Sequence, residues 1–267
     1  SPYGRAATPC AERTHAVKNL ATAEQYVLET LCALLEIPSP CGYTDAIVHH
    51  VGAELQRLGI AFALTRRGAI RADLPGEVES PDRAIVAHLD TIGAMVRGLL
   101  PHGRLALAPI GGWNARFAEG GHVTIHTESG PRRGSVLPLK ASGHTFGDEV
   151  DSQPSSWKHL ELRPDVEVED GAGLAAAGFQ IGDFVSFDPC PEITETGFVV
   201  SRHLDDKAGV AAVLGAARAV QEARLTLPVS CHLLFTISEE VGSGASAPGP
   251  QAARPATQPF SRSRETG

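Results

Sequence analysis

Three apolar runs, far apart in the chain, end in acid or imidazole. "IVAHLD" closes on His88 and Asp90, "VVSRHLDD" on Asp205 and Asp206, and "LLFTISEE" on Glu239 and Glu240. Each run has the length and apolar character of a buried strand. In sheets with parallel strands, ligands gather at the carboxyl ends, so the three clusters are expected to share one crevice of an α/β fold. Five carboxylates beside a low-dielectric core would raise one another's pKa and cost several kcal/mol each unless a cation stood among them. One histidine with several Asp and Glu suits zinc or cobalt, with manganese a further option, and Asp205 is placed to be a ligand. His88 and Asp90 sit at i and i+2 of a strand and share a face, so Asp90 can fix the ring of His88 from behind. Glu239 and Glu240 are adjacent and would point apart on a regular strand. Both serve one site only if the strand breaks at "VGSG", leaving one to ligate and the other to act as a base.

Two textures surround these clusters. Thr22 and Gln25 form a capping-box pattern, and Val27, Leu31, Leu34 and Leu35 recur at helical spacing until Pro38. A second predicted helix is capped by Thr44 or Asp45, lines one face with Ile47, Val51, Leu55 and Leu58, and ends at Gly59. "IAFALT" and "AIRADL" predict a hairpin, and "RAIVAHLD" a strand buried in the sheet. From Gly98 to about Pro191, short strands such as "GRLALAPIGGW", "HVTIHT", "GSVLPLKAS" and "GDFVSFDP" are punctuated by Gly and Pro, with one short helix at "GAGLAAAGF". The α/β texture then resumes with "GFVVSRHLDD", a helix from about Lys207 to Ala223 and the strand "VSCHLLFTISEE", which together predict a βαβ unit. The expected organisation is a loose leader over 1–20, an α/β domain over 21–97 plus 197–247, a β-rich insert over 98–196, and a disordered Pro/Arg/Ser-rich tail over 248–267.

A net charge of −8 argues against a surface that tracks phosphates, which excludes nucleic acid as an expected partner. Five cysteines (Cys10, Cys32, Cys41, Cys190, Cys231) without a CxxC pair suggest neither a disulfide framework nor a zinc ribbon and fit a reducing cytoplasm. The first 20 residues lack an apolar signal region. The longest apolar helical run, "AGVAAVLGAARAV", is too short for a membrane and carries Arg218, so no membrane partner is expected.

Five motifs in order, "AHLDTIGAMV", "GRLALAPIGGW", "GDFVSFDP", "HLDDKAGV" and "SEEVGSGA", resemble the glutamyl-aminopeptidase-like metallopeptidases of family M42, from about residue 23 to Ala247. The resemblance implies an α/β fold, a mixed sheet flanked by helices of the zinc-peptidase type, with a small β-barrel domain inserted and its C-terminal part incomplete. It implies two divalent metal ions, with His88 binding one, Asp205 bridging both and Glu240 a ligand. Glu239 would be the general base and Asp90 would orient His88. The implied reaction is two-metal hydrolysis of short peptides, Glu239 taking the proton of the attacking water, in a homo-oligomer of the tetrahedral-shell kind. Within the family, "GGWNARFAEGGHVTI", "LPLKASGHTFGDEVDSQPSSW" and "RHLDDKAGVAAVL" look most like the bacterial branch linked to the osmoprotectant N-acetylglutaminylglutamine amide. An N-acetylated dipeptide has no free α-amine for an aminopeptidase to recognise, so that link leaves the substrate open.

The sequence also departs from the family. Two further ligands, an Asp ending a later strand and a His near the C-terminus, have no match downstream of Glu240, and this chain is expected to be impaired. The alternatives are an inactive pseudoenzyme or interaction module, and a co-catalytic zinc deacylase or carboxypeptidase of the same clan. Simpler roles compete at individual residues. Asp206 reads as a helix N-cap, His203 as structural, Lys207 as the partner of nearby acids, and His122, His126, His144 and His159 as surface or loop groups. "GSGASA" mimics a dinucleotide fingerprint, but Glu239 and Glu240 before it would repel pyrophosphate. Ser243 does not lie in a nucleophile elbow.

Overall fold

A computed structural model describes residues 24–244 and the pair 254–255. The expected leader, Thr22 of the capping-box pattern and, apart from that pair, the expected tail lie outside the described residues. Helix α1 covers residues 24–35 and buries Tyr26, Leu31, Leu34 and Leu35. Helix α2, Asp45–Arg57, buries Ile47, Val48, Val51 and Leu55, and the chain leaves it through the left-handed Gly59. The apolar stripes of both helices match the spacing in the sequence, because positions three and four apart share a helical face.

Strands β1 (Phe62–Leu64) and β2 (Ile70–Leu74) form the expected antiparallel hairpin. Strand β3 is Gly76–His88. The chain then makes a closed six-stranded barrel from β4 (Gly93–Leu99), β5 (Leu105–Ile110), β6 (His122–Thr127), β7 (Gly130–Pro138), β8 (Leu160–Pro164) and β9 (Phe184–Phe187), in the order β4-β5-β8-β7-β6-β9. Val96, Leu107, Val123, Ile125, Val136, Leu162 and Val185 fill its interior. The short helices α3 (Gly143–Phe146), α4 (Glu149–Ser152) and α5 (Gly171–Ala176) decorate it. A small hairpin of β10 (Glu192–Ile193) and β11 (Val199–Val200) leads to helix α6 (Leu204–Glu222) and strand β12 (Leu227–Thr236).

In the main sheet β12 lies between β2, antiparallel to it, and β3, parallel to it; β1 pairs beyond β2, and the two-residue strand β13 (Arg254–Pro255) beyond β1. Helices α1, α2 and α6 share one apolar core with Ile70, Ala72, Leu74, Cys231, Leu233 and Phe235 of the sheet. The Tyr26 hydroxyl donates to Glu54 and Arg218 stacks on the Tyr26 ring at 4.5 Å, so the three helices are also tied to one another.

Two expectations need correction. β3 is not a buried strand: it lies at the sheet edge, Ile85 and Val86 are 45% and 44% exposed, and only Ala87 and His88 at its end are buried. Nor is "VVSRHLDD" a strand of the main sheet, since β11 pairs only with β10. The parallel crossover therefore joins β3 to β12 and contains both the barrel and α6. Apolar composition alone cannot separate an edge strand from a central one, because that depends on which neighbours arrive later in the chain.

Candidate functional site

His88 ends β3, and Glu239 and Glu240 follow the end of β12, so two of the clusters stand at the carboxyl ends of adjacent parallel strands. Asp205 and Asp206 come instead from the first turn of α6. Their backbones depart from helical geometry (φ −82°, ψ 111° and φ −118°, ψ 28°), which turns both side chains toward the end of β3. The peptide between them is cis.

The imidazole of His88 is the hub. Its Nδ1 donates to the backbone carbonyl of Asp90 at 2.8 Å, and a carbonyl can only accept, so the proton is on Nδ1. Nε2 then faces Asp205 Oδ1 at 3.1 Å and Glu239 Oε2 at 3.7 Å. An unprotonated Nε2 and a carboxylate oxygen are both acceptors. They face one another stably only with a second proton on the ring or a cation shared between them. Burial works against a charged His88 ring, but the Asp90 carbonyl and carboxylate with Asp205 and Asp206 outweigh it and hold the ring's pKa above its ordinary value. Asp206 Oδ2 accepts from the backbone N–H of His88 at 3.1 Å, so Asp206 anchors β3 rather than merely capping a helix.

Asp90 is fully buried. Its carboxylate lies 3.7 Å from His88 Nδ1 and accepts from the amides of Glu239 at 3.2 Å and Glu240 at 3.1 Å. Glu240 Oε1 accepts from the Ile92 amide at 3.2 Å. Burial raises the Glu240 pKa, and the charges of Asp90, Asp205 and Glu239 add to the rise while His88 opposes it. The structure thus gathers His88 and all five carboxylates at one place. Among the described residues no lysine or arginine forms an ion pair with Asp90, Asp205, Asp206, Glu239 or Glu240. The donor set suits a hard or borderline divalent cation. It is not ready-made, however: among the described residues no three His, Cys, Asp or Glu side chains already stand where they could hold one ion.

Other residues depart from their expected roles. Lys207 is buried and donates from Nζ to the Ile37 carbonyl at 2.6 Å, closing the C-terminal end of α1 instead of pairing with an acid. Burial pushes its pKa down to about 7. His203 donates from Nε2 to the Phe187 carbonyl at 3.0 Å, which ties it to the end of β9. His126 is no surface group: it bonds Ser186 Oγ at 2.8 Å and stacks on Tyr43 at 4.3 Å, joining the barrel to the loop after α1. Two neighbours of the site escaped the sequence reading. Cys41 has its thiol pKa raised to about 11, mainly by burial and next by Asp90. Gly111, in "PIGGW", runs against Glu240: a Cβ built there would lie 3.5 Å from Glu240 Oε2. A glycine doublet after a strand was the available signal, but it marks a turn as readily as a close approach.

No helix among the described residues is long and apolar enough to cross a membrane. Among proteins of known sequence, the chain is 35% identical over 227 residues to YhfE of Bacillus subtilis, covering 85% of this chain and 65% of that one. It is 26% identical over 216 residues to the glutamyl aminopeptidase of Lactococcus lactis, covering 79% and 59%. Among solved structures, the TET1 peptidase of Pyrococcus horikoshii, which can assemble into a tetrahedron or a large octahedral shell, superposes with a TM-score of 0.68 at 27% identity, covering 81% of this chain and 62% of that one. The chain therefore spans less than two thirds of the length of each of these relatives. The M42 glutamyl aminopeptidase model matches residues 68–257, well over half of the sequence, and the chain belongs to that family.

Proposed function

We propose that the chain is a metal-dependent peptide hydrolase of the aminopeptidase type, in which His88, Asp205 and Glu240 would hold divalent ions, Glu239 is the general base and Asp90 supports the site. The observation that carries this is the approach of Asp205 Oδ1 and Glu239 Oε2 to within 3.1 and 3.7 Å of His88 Nε2, from three distant parts of the chain. When bound, zinc or cobalt, or manganese, would supply the Lewis acidity that polarises a peptide carbonyl and acidifies water. Glu239 is half-exposed and free to take a proton from an attacking water and return it to the leaving amine. Asp205 is 90% exposed, so its carboxylate is open to ligands entering from solvent. The proposed division of labour places this chemistry in the α/β part (21–97 plus 197–247), with the barrel part (98–196) walling one side.

Catalytic zinc commonly keeps three protein ligands. Among the described residues no three donor side chains already stand where they could hold one ion, which supports weak binding. Equilibrium dialysis against zinc and cobalt, followed by hydrolysis of free-amine and N-acylated peptides, tests the proposal. The expected result is weak, sub-stoichiometric metal that is lost in His88→Ala and Asp205→Asn. Binding unchanged in both variants would refute it. Preference for N-acylated peptides would favour the osmoprotectant branch or a deacylase over a free-amine aminopeptidase. The shell assembled by the Pyrococcus horikoshii relative supports a homo-oligomer here, which light scattering on the eluting protein measures.

A further inference from the structure

We infer that the Asp90 carboxylate is a positioning residue for the Glu239–Glu240 pair, while the Asp90 backbone carbonyl holds the Nδ1 proton of the His88 ring. This deepens the hydrolase reading, since it assigns what holds the base and its neighbouring ligand in place. Asp90 is fully buried, and both its oxygens accept from backbone amides: Oδ1 from Glu239 at 3.2 Å and Oδ2 from Glu240 at 3.1 Å. On a regular strand, successive N–H groups point to opposite sides. Two consecutive amides converge on one anion only where the backbone curls into a nest. The curl is closed by Gly242 N–H on the Glu239 carbonyl at 2.7 Å and Ser243 N–H on the Ser238 carbonyl at 2.8 Å, with Gly242 in the left-handed region. Gly244 lets the returning chain pass: a Cβ there would lie 2.9 Å from Glu239 Cγ.

The side chains follow the backbone. On a straight strand Glu239 and Glu240 would diverge. Around the nest, Glu239 reaches His88 while Glu240 reaches the Ile92 amide. The hydrogen bond of His88 Nδ1 goes to the Asp90 backbone carbonyl at 2.8 Å, and the carboxylate, at 3.7 Å, acts on the ring through its charge. One buried anion therefore fixes the end of β12 against the end of β3.

Asp90→Asn separates the two roles. The variant keeps the backbone carbonyl but replaces one acceptor oxygen by an amide group that confronts an N–H. The expected result, read by NMR, is amide exchange at 239 and 240 faster by about tenfold or more, the loss of one charge-assisted hydrogen bond, with the ¹⁵N signature of the His88 tautomer unchanged. Unaltered exchange at 239 and 240, with a switched His88 tautomer, would overturn the inference. If the variant does not fold, the unmodified protein decides the matter: couplings across the hydrogen bonds from the 239 and 240 amide nitrogens to Asp90 Cγ are expected, and their absence refutes the clamp. None of these readouts involves metal or turnover, so the clamp and the hydrolase reading can fail separately.

Discussion

Gly111→Ala, set beside Gly112→Ala, measures how tightly the barrel edge is fitted against the site. Gly111 has φ +88°, and a Cβ there would stand 2.8 Å from Ile92 Cγ2 and 3.5 Å from Glu240 Oε2. The left-handed backbone costs an alanine roughly 1–2 kcal/mol. The contact with Ile92 is roughly 0.7 Å shorter than the ~3.5 Å carbon separation of a good packing contact, so Ile92 must give way. Lower entropy of the unfolded chain returns only about 0.4–1 kcal/mol. The net expectation is a loss of about 2 kcal/mol, or about 4–8 °C in Tm. Gly112 is the internal control: no atom lies within 4 Å of its Cβ position and its φ is outside the left-handed region, so alanine should change stability by less than about 0.5 kcal/mol. Urea unfolding of the two variants gives both numbers, and cobalt dialysis should show weaker binding in Gly111→Ala than in Gly112→Ala. Equal stability losses at the two positions would refute this account of how the barrel meets Glu240.

On the open face of the sheet, His232 bonds Asp73 and Asp82, and the Asp73 hydrogen bond leads in raising its pKa, with Arg71 alongside as the opposing charge. Since the folded-state pKa is the higher one, this group's stabilisation is full below the ordinary value of about 6.5 and is lost as pH rises through the raised value; urea midpoints of His232→Gln should lack that part of the pH dependence, below about 1 kcal/mol in size. Phe235→Ala empties a fully buried site between the sheet and the helices and should cost about 3–5 kcal/mol in chemical denaturation. Asp170 caps α5 through Oδ1, accepting from the Gly173 amide at 2.7 Å, so Asp170→Ala should cost about 1 kcal/mol in the same measurement, and Asp170→Ser much less.

Much of this molecule was legible because local chemistry leaves periodic marks. The stripes of α1 and α2 and the hairpin of β1 and β2 follow from spacing. The barrel strands β5, β6, β7 and β9 follow from short apolar runs cut by Gly and Pro. β4 and β8 carry weaker patterns, and their place is set by closure of the barrel. The convergence of His88, Asp205, Glu239 and Glu240 was legible because charged groups ending apolar runs demand an explanation.

What the sequence by itself determined is which residues carry charge at the ends of apolar segments, since that is a property of composition and local order. Only the tertiary structure decided that β3 is an edge strand, that Asp205 arrives on a helix turn, that Lys207 closes α1, and that the Asp90 carboxylate bonds two amides besides facing the imidazole. The physical reason is that a hydrogen-bond partner or a neighbouring strand is selected by long-range closure of the chain. Local order places the carboxylate at 90 beside the His88 ring, but the amides about 150 residues away come within its reach only through the curl of the backbone after Ser238.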